Sequence, residues 1–302
     1  MNGKLYIVAT PIGNLGDMTP RATEILRGAD MIAAEDTKNS MTLLTKFEIK
    51  TKLVSNHKFN ETGSADYFIS ELLNGKNIAL ISDAGTPCIS DPGSILVKRA
   101  AENHIEVISI PGACAAAAAV SISGFDIKSF VFEGFFPREN TETKRIMKKL
   151  TNHPGVYIFY ESPKRIIKTL ECFAENLPES NICLCNDLTK KFERIYRGSP
   201  IEVLDELREN PSAEKGEYTA VIEIFDVGAD EKERDVRRTE FGYGAVPYKN
   251  LSIEAIIVDV MIKQKCTVKD AVKYIASDNA YGFNKNEVYA ASLNVKKMFI
   301  HD

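Results

Sequence analysis

Short apolar runs alternate with stretches of helical spacing through the first part of the chain. Residues 5–9 read as a buried strand, followed by the turn Thr10-Pro-Ile-Gly-Asn-Leu-Gly16. The next segment, Thr19-Pro-Arg-Ala-Thr-Glu-Ile-Leu26, has the pattern of a Thr-capped helix with Pro at its first position. Further strands are predicted at 31–34, 52–55, 78–81 and 106–110. Strands of this length separated by helical segments predict a mostly parallel sheet with helices on its faces.

A second unit begins near Gly124. Residues 130–132 and 156–160 read as strands, and 181–185 is expected to pair with 193–197 as a hairpin. Residues 217–225 form a long strand that alternates at its start, so this sheet is expected to mix parallel and antiparallel pairs. The polar, Gly-containing stretch 226–250 reads as a linker. Helical segments at 252–263, 267–277 and 285–297 follow, with either a helix-turn-helix or a plain packing or dimerisation module as their reading. The expected organisation is therefore an α/β domain at 1–122, a second at 123–226, a linker at 227–250 and a helical segment at 251–302.

Composition narrows the class. The chain has 302 residues, 44% apolar and 26% charged, with a net charge of −4, a balance typical of a globular protein and unlike a bulk polyanion binder. No stretch reaches the roughly 18 apolar residues of a membrane span, and 5–9 is too short for a signal h-region, so a cytoplasmic location is expected. The six Cys are scattered without CxxC or zinc spacing and the four His form no constellation, so reduced thiols and no metal are expected. Basic clusters occur at Lys144-Arg145 with Lys148-Lys149, Lys164-Arg165 with Lys168, Lys190-Lys191 with Arg194, and Arg234 with Arg237-Arg238. Each is either a solvated helix face or part of an RNA-binding groove that requires several to converge.

The most informative segment is Ser82-Asp-Ala-Gly-Thr-Pro-Cys-Ile-Ser-Asp-Pro-Gly93, between an apolar strand and a helix. Such a loop lies at the carboxyl edge of a sheet, where open α/β folds bind ligands. Turns of similar kind recur at strand ends: Ala9-Thr-Pro-Ile-Gly-Asn-Leu15, Ala34-Glu-Asp-Thr37, Pro111-Gly112 and Phe159-Tyr-Glu-Ser-Pro-Lys-Arg165. The Ala run at 115–119 permits either tight helix–sheet packing or close approach of a flat ligand.

In this order, over roughly residues 4–225, these motifs resemble those of the ribosomal RNA small subunit methyltransferase I family, a branch of the tetrapyrrole (corrin/porphyrin) methylases. Glu133-Gly-Phe-Phe-Pro-Arg138, Asp187-Leu-Thr-Lys190 and Gly216-Glu217 also match its segments, while Ala113 and Asn186-Asp187 depart from its usual Pro and Arg-Glu. The resemblance implies two α/β domains holding S-adenosylmethionine between them, a homodimer, and 2′-O-methylation of a cytidine in 16S ribosomal RNA, in the assembled small subunit. It assigns the cofactor to Pro11 and Gly13 of the first loop, to Asp83, Ala84, Gly85, Thr86 and Ile89 of the fourth, to Ala113, Cys114 and Ala115, and to Tyr160 and Glu161. A ribose hydroxyl is weakly acidic, so a positioned base assists its attack. Glu35, Asp36, His57, Asp83 and Glu161 are candidates, each also readable as a cap or turn carboxylate. Glu35 and Asp36 are favoured for the substrate side, with Lys191, alongside Lys190, placed to hold RNA phosphate. Alternatives are a tetrapyrrole methylase and a non-catalytic ribosome assembly factor.

Overall fold

The computed structural model describes residues 2–56, 61–225, 252–263, 266–277, 283 and 285–298. His57, the stretch 226–250 and the Arg234 cluster lie outside the described residues. Two compact units are present, Met1–Ala229 and Asp230–Asp302.

The larger unit contains two five-stranded sheets. In the first, β1 (Leu5–Val8), β2 (Met31–Ala34), β3 (Leu53–Ser55), β4 (Ile78–Ile81) and β5 (Val107–Ile110) run in the order β3-β2-β4-β1-β5. Every pair is parallel. Both faces are covered, which is why the strands read as short continuous apolar runs. Alternate residues serve opposite faces: Ile32 and Ala34 pack with α1 (Pro20–Gly28) and α2 (Thr37–Lys46). Met31 and Ala33 pack with α3 (Glu61–Leu73) and α4 (Ser94–Glu102). The cap of α1 is as read from the sequence, with Thr19 Oγ1 accepting from Ala22 N at 3.0 Å and Pro20 at the first position.

The second sheet has the order β6-β7-β10-β8-β9, built from β6 (Phe130–Phe135), β7 (Gly155–Glu161), β8 (Asn181–Asn186), β9 (Arg194–Gly198) and β10 (Tyr218–Ile224). Only β6–β7 is parallel; β7–β10, β10–β8 and the expected β8–β9 hairpin are antiparallel. One face packs α6 (Asn140–Asn152), α7 (Ile166–Asn176) and α8 (Pro200–Arg208) through Leu150, Phe173 and Leu207. On the other face, Ala116 and Ala119 of α5 (Ala115–Ser123) meet Ile158, Cys183 and Val221. Small side chains let α5 approach closely, so the Ala run does serve helix–sheet packing. β10 departs from its sequence pattern: all seven residues are buried, because the strand is central and covered on both sides.

In the smaller unit, helices Ile253–Lys263, Val268–Ser277 and Lys285–Met298 enclose a core of Ile256, Ile257, Val260, Ile275, Val288 and Val295. Among the described residues no helix is long and apolar enough to cross a membrane, and no His/Cys/Asp/Glu group is placed to hold a metal ion.

Candidate active site

The topology of the first sheet creates a crevice. β1 and β4 are neighbours, yet the helices that follow them, α1 and α4, lie on opposite faces. Loops leaving their carboxyl ends therefore diverge, which is the switch point where open α/β sheets take ligands. Hydrogen bonds tie these loops into one platform. Thr10 N donates to Gly85 O at 2.9 Å and Gly85 N donates to Thr10 O at 3.0 Å. Thr86 Oγ1 donates to Ala113 O at 3.0 Å, fastening the loop after β4 to the one after β5.

The opposite wall comes from the second sheet. The end of β7 and the start of β10 lie side by side, with Glu161 opposite Tyr218 and Tyr160 opposite Thr219. Between the walls lies a cleft of about 470 Å³, within the range of small-molecule sites. Ala84, Gly85, Thr86, Ile89, Cys114, Ala115, Tyr160 and Glu161, all expected from the sequence, line it. Ile12, Ser90, Asp91, Phe135, Ser162, Pro163 and residues 216–219 line it too and were not singled out. Most of these belong to segments already marked as motifs; the strand start at 216–219 carried a Gly-Glu signal but no ligand chemistry.

Four expected cofactor residues stand outside the cleft lining. Pro11 is buried. Ala113 acts through its carbonyl, and Asp83 accepts from Asp36 N at 3.1 Å and Asn39 Nδ2 at 3.2 Å. Gly13 faces the second sheet's β8–β9 turn, where a Cβ would sit 2.4 Å from Lys190 Cγ. Lys190 in turn binds Asp187 at 2.7 Å and Glu217 at 3.0 Å. The Asn186-Asp187 pair is thus used locally: Asn186 donates to Lys215 O and Glu217 O, and Asp187 anchors Lys190.

None of the favoured catalytic residues lines the cleft. Asp36 caps α2, accepting from Lys38 N at 2.7 Å and Asn39 N at 3.4 Å. Asp36→Ala is expected to cost about 1 kcal/mol in urea unfolding, the usual value of an N-cap. Glu35 is half-buried at the same strand end. Lys191 lies exposed on the β8–β9 turn, its Nζ 5.4 Å from the Phe192 ring centroid.

Three side chains give the cleft its chemistry. Tyr160 meets Phe132 and Phe135 edge-on, at centroid distances of 4.9 and 5.8 Å. Its hydroxyl accepts from Ala116 N at 3.2 Å, meeting an orphan donor of the first turn of α5, whose cap residue Cys114 supplies no side-chain bond. Burial is the main reason its phenol is pushed up to about 12, so it remains a neutral donor. Glu161 is buried and fully committed: Ser162 N donates to it at 2.6 Å, Thr169 Oγ1 at 2.7 Å and Arg165 at 3.1 Å.

Asp91 is the third. Burial raises its carboxyl above the ordinary aspartate value, Asp83 adds repulsion, and a hydrogen bond with Ser82 partly offsets both. With the folded value above the unfolded one, its favourable contribution is complete below the ordinary value. It is lost as pH climbs through the raised one. Asp91→Asn is expected to stabilise the fold at neutral pH in a pH series of thermal melts. The same substitution weakens binding of a cationic ligand about tenfold, as loss of a charge-assisted hydrogen bond does.

Small residues and bare backbone on one side, aromatic rings on the other, and one half-buried carboxylate suit a nucleoside bearing cationic groups. S-adenosylmethionine has that chemistry, and the residues present fit it. The model for Tetrapyrrole (Corrin/Porphyrin) Methylases matches residues 4–203. A solved cobalt-precorrin-4 methyltransferase has the same fold, with a TM-score of 0.53 at 16% identity, covering 72% of this chain and 94% of its own. Fold and family model define the class, a methyltransferase of the tetrapyrrole-methylase type.

Curated relatives narrow it. The Ribosomal RNA small subunit methyltransferase I of Buchnera aphidicola subsp. Schizaphis graminum is 36% identical over 296 residues, covering 97% of this chain and 97% of its own. That of Synechocystis sp. is 45% identical over 221 residues, covering 73% of this chain and 78% of its own. The chain belongs to the ribosomal RNA small subunit methyltransferase I family of tetrapyrrole methylases. The methyl donor of this family is S-adenosylmethionine.

Proposed function

We propose that this protein methylates the ribose 2′-oxygen of a cytidine in small-subunit ribosomal RNA, acting as a homodimer on the assembled subunit. The observation that supports it most is kinship with ribosomal RNA methyltransferases across 97% of the chain, joined to a cleft whose lining suits the donor. S-adenosylmethionine, when bound, supplies an electrophilic methyl group on a sulfonium centre.

The chain's own residues supply position. The Thr10–Gly85 and Thr86–Ala113 bonds hold three loops as a rigid seat, and alignment of the reacting atoms accounts for much of such a rate. Phe135 and Tyr160 give the wall an aromatic surface against which the donor can pack. Asp91 balances positive charge, and Tyr160 offers its neutral hydroxyl as a hydrogen-bond donor. Pro11, Gly13, Asp83 and Ala113 support the seat from behind. Glu35 and Asp36, at the carboxyl edge of the first sheet and outside the cleft lining, face the substrate side. Lys191, exposed beside Phe192, holds phosphate.

The test is methyl transfer from labelled S-adenosylmethionine to small subunits isolated from cells lacking this gene, with nuclease mapping and ribose analysis. Label on one cytidine 2′-oxygen is expected, with transfer slowed and donor affinity unchanged in Glu35→Gln. Donor binding without label on RNA, or label on uroporphyrinogen instead, would overturn the reading. Sedimentation of the purified protein checks the dimer.

A further inference from the structure

The basic clusters of the second α/β half differ sharply in how their charges are used. On α6, Arg145 pairs with Glu142 at 2.8 Å and Lys149 binds Glu133. Both cations turn toward a hollow lined by those acids. Lys144 and Lys148 sit one turn apart on the neighbouring face of α6, about 6 Å along its axis. They form no ion pair with any described residue, and neither do Arg138 before α6 and Lys168 on α7.

These four cations converge. Arg138, Lys144 and Lys168 line a hollow of about 700 Å³ between α6 and α7. Lys144 and Lys148 line an adjoining hollow of about 650 Å³, and the two share Thr143, Lys144, Cys172 and Glu175. The opposing acids are few: Glu171 is tied to Arg208 at 2.7 Å, leaving Glu175. A groove that gathers uncompensated cations, while the adjacent face of the same helix neutralises its own, fits a polyanion.

The groove is also one wall away from the cleft. Glu161 lines the cleft, while Arg165 and Thr169, both bonded to it, line the groove. Arg165 further donates to Phe136 O and Pro137 O, each at 2.8 Å. That fixes the groove's end to β6, whose Phe135 lines the cleft.

We propose that the groove between α6 and α7 binds the sugar–phosphate backbone of the ribosomal RNA next to the methylated nucleotide, through Arg138, Lys144, Lys148 and Lys168. This rests on the ribosomal RNA reading above. Phosphate contacts position a nucleic acid without reading its sequence, and each one released steepens the salt dependence of binding.

The test compares the full-length protein with its Lys144→Gln/Lys148→Gln/Lys168→Gln variant. A matched control, Lys46→Gln/Lys50→Gln/Lys52→Gln, removes exposed cations lining neither hollow. Retention of small-subunit ribosomal RNA is measured across a salt series, methyl transfer to small subunits in parallel, and donor affinity by calorimetry. The triple variant is expected to lower the log–log salt slope by about 2, at about 0.7 per single-strand phosphate contact. Its KM for the subunit rises about tenfold, while kcat and donor affinity stay within about twofold, and the control matches the parent. A slope and KM unchanged in the triple variant, with full methyl transfer, overturn the groove alone. Parent protein that retains RNA with a variant-sensitive slope, yet transfers no methyl group, overturns the proposed reaction and keeps the groove.

Discussion

Glu161→Ala is expected to cost about 3–5 kcal/mol of stability in urea unfolding, the penalty of breaking a buried ion pair by removing one partner. The carboxylate side chain is 0% exposed and that of Arg165 26%. Removing it strands the Thr169 hydroxyl and the Ser162 N–H and leaves Arg165 with backbone carbonyls alone. Because Glu161 closes the cleft wall, donor binding is lost with it. Glu161→Gln keeps an oxygen acceptor and the shape of the side chain, so its cost falls to about 1–3 kcal/mol. A loss below about 1 kcal/mol for the alanine variant would mean the pair has no structural weight.

Gly85→Val is expected to weaken S-adenosylmethionine binding about 100-fold, the equivalent of about 2.8 kcal/mol or two good hydrogen bonds. Gly85 has φ +80°, where a β-branched residue is strained. A Cβ there would lie 3.2 Å from Ile12 Cγ2 and 3.6 Å from Ala113 O. The substitution therefore presses on the first and third loops of the platform at once. It also loosens the Thr10–Gly85 pairing that holds them together. Gly28→Ala is the control: a Cβ at Gly28 meets nothing within 4 Å, and calorimetry should find donor affinity unchanged. Equal affinity in Gly85→Val and the parent would exclude this loop from the donor site.

Much of the architecture was legible along the chain because its determinants are local. The Thr19-Pro20 start of α1 needs only neighbouring N–H groups. The strands of the first sheet needed only short apolar runs, since both faces are covered. β10 was the exception in pattern: its start alternates polar and apolar residues, yet all seven residues are buried because the strand is central in its sheet. The candidate site divided in the same way. The loop after β4 announced itself by its Gly, Pro and Asp content, and most of the cleft lining lies within it or its partner motifs. Asp36 shows the limit, because a carboxylate at a strand end has the same sequence whether it caps a helix or accepts a proton. Asp91, inside that loop, gained its distinction only from burial in the folded cleft.

What this sequence determined by itself is the set of elements, the turns that end them and the family they place it in. Each depends on residues within a few positions of one another, where periodicity and backbone stereochemistry act directly. The tertiary structure alone decided which ends meet. It brought 216–219 opposite the loop at 84–91, set Lys190 against Gly13, and left Lys144, Lys148 and Lys168 uncompensated while Arg145 and Lys149 found acids. Those outcomes depend on side chains separated by tens of residues or more, or on which face of a helix a neighbour occupies. Desolvation and charge pairing act through space, so they take effect only once strand order and helix packing have fixed the distances.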